Sequence, residues 1–132
     1  MSALPDAEAA RIVDDALEQP ASALQRLRQD AQALAAVQAA ARLLSRAFAQ
    51  GGRAFACGNG GSMCDAMHFA EELSGRFRED GPALAALAIS DPGHLTCVAN
   101  DYGYAEVFAR FVQAHGRPGD VLLAISTSGT SA

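Results

Sequence analysis

After Gly52 the chain repeats one arrangement: a five- or six-residue run apolar on both faces, a loop rich in Gly, Ser or Asp, then a helix-like segment. Runs this short and apolar on both pleat faces are how buried parallel strands read, and parallel strands need such helical crossovers between them. The pattern predicts strands over residues 53–57, 84–89 and 121–125, with a helix over 62–78 after the first. A second helical segment is predicted over 92–115, broken at Asn100-Asp101-Tyr102-Gly103, with Asp91 as N-cap and Pro92 at its first position. In its second half Tyr104, Phe108, Phe111, Val112 and His115 share a face. The class is α/β with a parallel sheet.

Before Gly51-Gly52 the regime differs. Ala, Leu, Gln and Arg, all good helix formers, dominate, and β-branched residues are nearly absent. A first helix is expected from Pro5 to about Glu18, with Ile12, Val13 and Leu17 on its apolar face; Pro20 then opens or kinks a second, carrying Leu24 and Leu27. Asp30 is the expected N-cap of the longest helix, residues 31–50, and Gly51-Gly52 its C-cap. The apolar seam Leu34, Val37, Ala41, Leu44 and Phe48 packs either on the chain's own domain or on a second subunit. Two segments follow: a helical one over 1–50, suited to oligomer packing, and an α/β one over 51–132.

Composition removes several chemistries. Thirty of the 132 residues are alanine and none is lysine, so Schiff-base, pyridoxal phosphate and P-loop enzymes cannot be built from these residues. A net charge of −5 with singly scattered arginines gives no stripe for neutralising a duplex, so no nucleic acid partner is expected. Cys57, Cys64 and Cys97 form no C-x-x-C pair, which points to a reducing compartment. No apolar run approaches the roughly 20 residues needed to span a bilayer, and the N-terminus does not read as a signal peptide, so a soluble, cytoplasmic protein with no membrane partner is expected.

Three constellations could carry chemistry. Cys57-Gly58-Asn59-Gly60-Gly61-Ser62 lies at a strand-to-helix junction, where glycines let the backbone approach a ligand and unpaired helix amides favour an anion or sugar oxygen. Ser62 is the expected cap, with Asp65 completing an imperfect capping box. Met63 replaces the third glycine of a dinucleotide fingerprint, which argues against an NAD site. On the following helix, His68 and Glu72 stand one turn apart and could hold zinc or act as base and orienting partner, although a solvated amphipathic face reads the same way. Ser126-Thr127-Ser128-Gly129-Thr130-Ser131, after the third strand, suits a phosphate cradle of hydroxyls and amides, or else a solvated tail. His94 and His115 read as structural, and Asn100-Asp101 as a turn or a site.

Together the segments CGNGGSMCDAMHFAEELSGRFRE, AISDPGHLTCVANDYGY and GRPGDVLLAISTSGTSA resemble the phosphoheptose isomerase family of SIS (sugar isomerase) domains, from about residue 20 onward. The resemblance implies a three-layer sandwich, with three of its parallel strands present here, preceded by N-terminal helices that pack between subunits. It implies a cytoplasmic homotetramer interconverting sedoheptulose 7-phosphate and D-glycero-D-manno-heptose 7-phosphate for heptose and lipopolysaccharide precursors. Residue by residue, Asn59, Gly60, Gly61, Asn100 and Asp101 would contact substrate; Ser126, Thr127, Ser128 and Ser131 would hold its phosphate. Glu72 would also contact substrate, as the general base of an ene-diol mechanism, and His68 with Glu72 would form half of a site for one zinc ion per subunit. The family's second acid/base histidine and a glutamine match no position here; Met63 and Thr130 depart from its histidine and asparagine.

Two other functions are compatible with the same domain: a non-catalytic protein that binds the bacterial replication initiator, and a sugar-phosphate sensor. The chain stops after a loop that ordinarily opens a helix, which leads to the expectation that the domain is cut at its C-terminus and that the remaining zinc ligands lie in the missing part.

Overall fold

The computed structural model describes residues 5–130. The chain divides into two compact units, Met1–Ala41 and Arg42–Ala132. In the first unit, helix α1 runs unbroken over Asp6–Gln29 with Pro20 inside it. Pro20 therefore does not open a separate second helix. Proline removes one i to i−4 bond at a cost of about 3 kcal/mol, but the surrounding run of strong helix formers carries the helix through. Asp6 and Glu8 in the first turn and Arg26 and Arg28 in the last suit the helix dipole. Its apolar stripe, Ile12, Val13, Leu17, Leu24 and Leu27, is exposed.

Helix α2, Ala31–Ala49, begins as expected: Asp30 Oδ1 accepts from the amides of Gln32 at 3.0 Å and Ala33 at 2.9 Å. It also ends as expected. Gly51, at φ 77°, takes the left-handed conformation of a Schellman cap, its amide donating to Phe48 O at 3.0 Å and that of Gly52 to Ala47 O at 2.8 Å.

The second unit holds the sheet. Its strands are β1, Ala54–Gly58, β2, Ala86–Ala88, and β3, Val121–Ile125, all parallel in the order β2-β1-β3. Central β1 is buried at every position, whereas the flanking strands each keep exposed residues such as Leu87 and Leu122. The register sets Phe55 between Leu87 and Leu122, and Gly58 opposite Ile125. The Ala54 face is covered by helix α3, Gly61–Ser74, and by the end of α2, through a cluster of Ala54, Ala70 and Ala86 with Leu44, Phe48 and Leu73 against it. Phe55 points to the other face, as pleating demands, and meets Phe111 edge-on at 5.7 Å. Phe111 belongs to α5, Val107–His115, which follows α4, Pro92–Tyr102, and a 3-10 turn at Tyr104–Glu106. Helices on both faces of a parallel sheet make three layers, the α/β class that the pattern predicts.

Local departures have local causes. Helix α3 stops at Ser74, short of residue 78, because Gly75 closes it by donating to Glu71 O at 2.7 Å, where a Cβ would come within 2.9 Å of that oxygen. Strand β2 is shorter than its apolar run because the Leu84 amide turns to Leu73 O at 3.0 Å. The N-cap of α3 is Gly60, at φ 56° and ψ −121°, with no side-chain cap; Ser62 lies buried inside the first turn, so the expected Ser62 cap and capping box do not form. Asp91 caps α4 as expected, accepting from the His94 amide at 2.7 Å. His94 and His115 prove structural: His94 Nε2 donates to Val107 O at 2.8 Å, and the Phe111 ring lies between the two imidazoles.

At the lower end of the sheet Asp120 clamps β1 to β3. Its carboxylate accepts from the Arg53 guanidinium at 2.7 Å, the Arg53 amide at 2.8 Å and the Arg117 amide at 2.8 Å. Hydrogen bonding to the Arg53 side chain, aided by those amides, lowers the carboxyl pKa from 3.8 to about 2. Among the described residues no helix is long and apolar enough to cross a membrane.

Candidate active site

In an open parallel sheet, ligands settle at the carboxyl ends of strands where successive crossovers diverge. Here β2 and β3 lie on opposite sides of β1, so that point falls between β1 and β3. Gly58 and Ile125 pair there, and the loops that follow, 59–61 and 126–130, leave the sheet side by side. Two constellations separated by a whole crossover in sequence thereby become neighbours.

The first loop turns on Gly60. Nothing stands within 4 Å of where a Cβ would lie at Gly60 or Gly61, so backbone is open to an approaching group at both positions. The second loop is shaped by its own hydroxyls: Ser126 Oγ accepts from the Gly129 amide at 3.0 Å, and Ser128 Oγ from the Thr130 amide at 3.2 Å. Gly129, at φ 68°, gives the curvature. Thr127 is exposed beside them, and Ser131 lies outside the described residues.

Asn100 and Asp101 sit in the last turn of α4, both exposed, with Asn100 Nδ2 donating to Asp101 Oδ1 at 2.8 Å. Sequence reading missed the residue that links this region to the glycine loop. Tyr104, expected on the apolar face of the helix, instead stands half exposed in the 3-10 turn, its hydroxyl donating to Asn59 Oδ1 at 2.8 Å. The available signal was that a tyrosine hydroxyl near a core face seeks a polar partner.

His68 and Glu72 project together from α3, as their spacing requires, with His68 Nε2 and Glu72 Oε1 3.5 Å apart. Glu71 is the unforeseen third member: its Oε1 lies 3.0 Å from His68 Nδ1. A carboxylate on Nδ1 suits the tautomer in which that nitrogen donates, and in that tautomer the Nε2 lone pair faces Glu72. Two electron-rich atoms so placed suit a shared cation. With zinc–ligand bonds of about 2.0–2.1 Å, the edge of a tetrahedral site is about 3.3 Å, so one imidazole nitrogen and one carboxylate oxygen fit zinc here. Ligand atoms of His68, Glu71 and Glu72 all fall within 4.8 Å of one another. Beside them runs an apolar groove of about 420 Å³ lined by Asp65, His68, Phe69, Glu72, Leu73 and Phe77. The Glu72 side chain is 28% exposed against 68% for Glu71, so Glu72 is the more sheltered carboxylate.

This pair does not stand next to the glycine loop. Gly61 and Glu72 are eleven residues apart on α3, a rise of about 16 Å. The described structure brings the two loops and Tyr104 together at one end and holds His68, Glu71 and Glu72 toward the other.

The fold, with its glycine and Ser/Thr loops at the switch point, is that of an SIS domain: the chain belongs to the SIS domain family, whose model matches residues 17–132. Among the relatives it matches are phosphoheptose isomerases. It is 58% identical over 120 residues to the phosphoheptose isomerase of Aeromonas hydrophila subsp. hydrophila, covering 91% of this chain and 62% of that protein. Identity to the Tolumonas auensis phosphoheptose isomerase is 61% over 102 residues, covering 77% of this chain and 53% of that one. The solved phosphoheptose isomerase of Neisseria gonorrhoeae superposes with a TM-score of 0.82 at 40% identity, covering 93% of this chain and 63% of that one. The Francisella tularensis phosphoheptose isomerase gives 0.81 at 34% identity, with coverages of 92% and 63%. The chain thus spans less than two thirds of the length of these relatives.

Proposed function

We propose that the protein is an aldose–ketose isomerase that converts sedoheptulose 7-phosphate to D-glycero-D-manno-heptose 7-phosphate for heptose and lipopolysaccharide precursor synthesis. The observation that carries this reading is the sheltered Glu72 carboxylate, set against His68 on the helix that issues from the glycine loop. In the reaction Glu72 takes a proton from C1 of the open-chain ketose, giving an ene-diol(ate), and returns it to C2; the O1 hydroxyl loses its proton as O2 gains one, so the formula is unchanged. Asn59, Gly60, Gly61, Asn100 and Asp101 hold the sugar, and the hydroxyls and amides of 126–131 hold the phosphate, whose binding energy positions the reacting carbons. Zinc bound by His68 and Glu72 would supply Lewis-acid stabilisation of the developing oxyanion.

Assembly belongs to the same reading. The six carbon–carbon bonds of a heptose give a contour of about 9 Å, less than the helix rise of about 16 Å from Gly61 to Glu72. The reading therefore closes the site in a cytoplasmic homotetramer, where the loops of one subunit meet Glu72 of another. The exposed apolar stripe of α1 supports such packing.

The test is turnover by the full-length protein. Glu72→Gln should lower kcat by about 10²- to 10⁴-fold while calorimetry still detects sugar-phosphate binding. Unchanged turnover in that variant would remove Glu72 from the mechanism. Solvent deuterium entering C2 separates the isomerase from a sensor or an initiator-binding protein, neither of which exchanges that proton.

A further inference from the structure

We propose that Tyr104 is a positioning residue for sugar binding, its hydroxyl fixing the Asn59 amide so that the nitrogen end faces a sugar oxygen. This rests on the sugar-phosphate reading above and adds to it a residue from a different segment. A primary amide has two unlike ends, one accepting and one donating, and rotation about its terminal torsion exchanges them. Asn59 is exposed, so burial does not choose between the two orientations. The Tyr104 hydroxyl favours one of them, because a phenol is a stronger donor than acceptor and here it donates to Oδ1 at 2.8 Å across 45 residues of sequence. Among the described residues Nδ2 has no protein partner, which leaves the donor end for a ligand oxygen.

Tyr104 is itself well held. Gly103, at φ 93°, ends α4 and aims the chain into the 3-10 turn, and the Glu106 amide closes that turn on Gly103 O at 3.2 Å. Val107, the next residue, is fully buried, and its carbonyl is fixed by His94. The phenol is thus anchored to the helical layer opposite α3, and its bond ties the glycine loop to the segment that carries Asn100 and Asp101.

The variants are Tyr104→Phe, which removes only the hydroxyl, Asn59→Ala, and the two combined, all in the full-length protein. Two measurements are made. In ligand-free protein, the ¹⁵N-coupled side-chain NH₂ pair of Asn59, assigned by its loss in Asn59→Ala, should shift in Tyr104→Phe. With sedoheptulose 7-phosphate, Tyr104→Phe should raise KM about three- to tenfold, the range for one neutral hydrogen bond, and leave kcat within about twofold. The double variant should be no worse than Asn59→Ala, because the hydroxyl acts only through that amide. An unmoved NH₂ signal overturns the proposal whether or not the protein turns over sugar. An unchanged KM, or multiplicative losses in the double variant, overturns it while leaving the isomerase reading intact. A wild-type protein that neither binds nor converts the sugar phosphate overturns the isomerase reading and, with it, this role.

Discussion

Of the three glycines around the first loop, Gly58 is the one whose side chain the fold forbids. A Cβ built there would lie 2.7 Å from Ser62 Cβ, 2.7 Å from Ser62 O and 2.8 Å from Ser62 C. Ordinary contacts begin near 3.4 Å, so Gly58→Ala must push the first turn of α3 away from β1 by about 0.7 Å. The clashing atoms are mostly backbone and cannot swing aside. Overpacking of this kind costs about 1–3 kcal/mol. Gly61→Ala meets nothing within 4 Å and should stay within about 0.5 kcal/mol of wild type. Gly60→Ala has the same open space but a backbone at φ 56° and ψ −121° that L residues rarely adopt, so it should lose about 1–3 kcal/mol through the backbone alone. Urea unfolding followed by far-UV circular dichroism measures all three. With an m-value of about 1–2 kcal/mol/M, a loss of 2 kcal/mol lowers the midpoint by about 1–2 M. A Gly61→Ala protein as damaged as Gly58→Ala, or a Gly58→Ala protein within about 0.5 kcal/mol of wild type, would refute the steric reasoning.

Two further outcomes follow from side chains away from the loop. The Asp120 carboxyl is held to about 2 in the folded chain against 3.8 for a free carboxyl, so its contribution to stability is complete above about pH 4 and is lost as the pH falls toward 2. Asp120→Asn should therefore flatten the dependence of stability on pH between about 4 and 2; an unchanged acid limb in the urea titration would rule out the clamp as its source. Burial pushes the Cys57 thiol up, whereas Cys64 and Cys97 are exposed, so a thiol reagent at neutral pH should label two cysteines in the native protein and the third only after unfolding. Prompt native labelling of Cys57 would show that β1 is not buried.

The elements legible in the sequence were those fixed by their own residues. Asp30 and Asp91 cap because a carboxylate beside a helix start finds amides two and three positions on. Strands β1 and β3 end within a residue of their expected bounds because apolar runs between turn residues leave little freedom. Errors arose where two preferences competed and a neighbouring or distant group decided. Pro20 argued for a second helix start or a kink, yet one helix, α1, continues through it. Ser62 had the right chemistry for a cap, but Gly60 starts the turn earlier and Ser62 is drawn beneath it, against Gly58. The end of α3 and the short β2 are set together, since the Leu84 amide bonds the Leu73 carbonyl near the helix end.

The candidate site shows a sharper version of the same limit, because separation along the chain is a poor measure of separation in space. His68 and Glu72 follow the glycine loop so closely in sequence that they read as one constellation with it, yet a helix spends 1.5 Å on every residue and carries them toward its far end. The Ser/Thr loop, a whole crossover away in sequence, comes within one strand spacing of the glycine loop, about 4.8 Å, because β3 pairs with β1 rather than with β2. Had the strands lain in chain order, that gap would have doubled to about 9.6 Å. Strand order thus decides which residue types share a ligand, and strand order is a property of how apolar faces are covered. No motif encodes it. The Tyr104–Asn59 bond is legible only after it, since it needs the layer carrying the 3-10 turn to end beside the loop that follows β1.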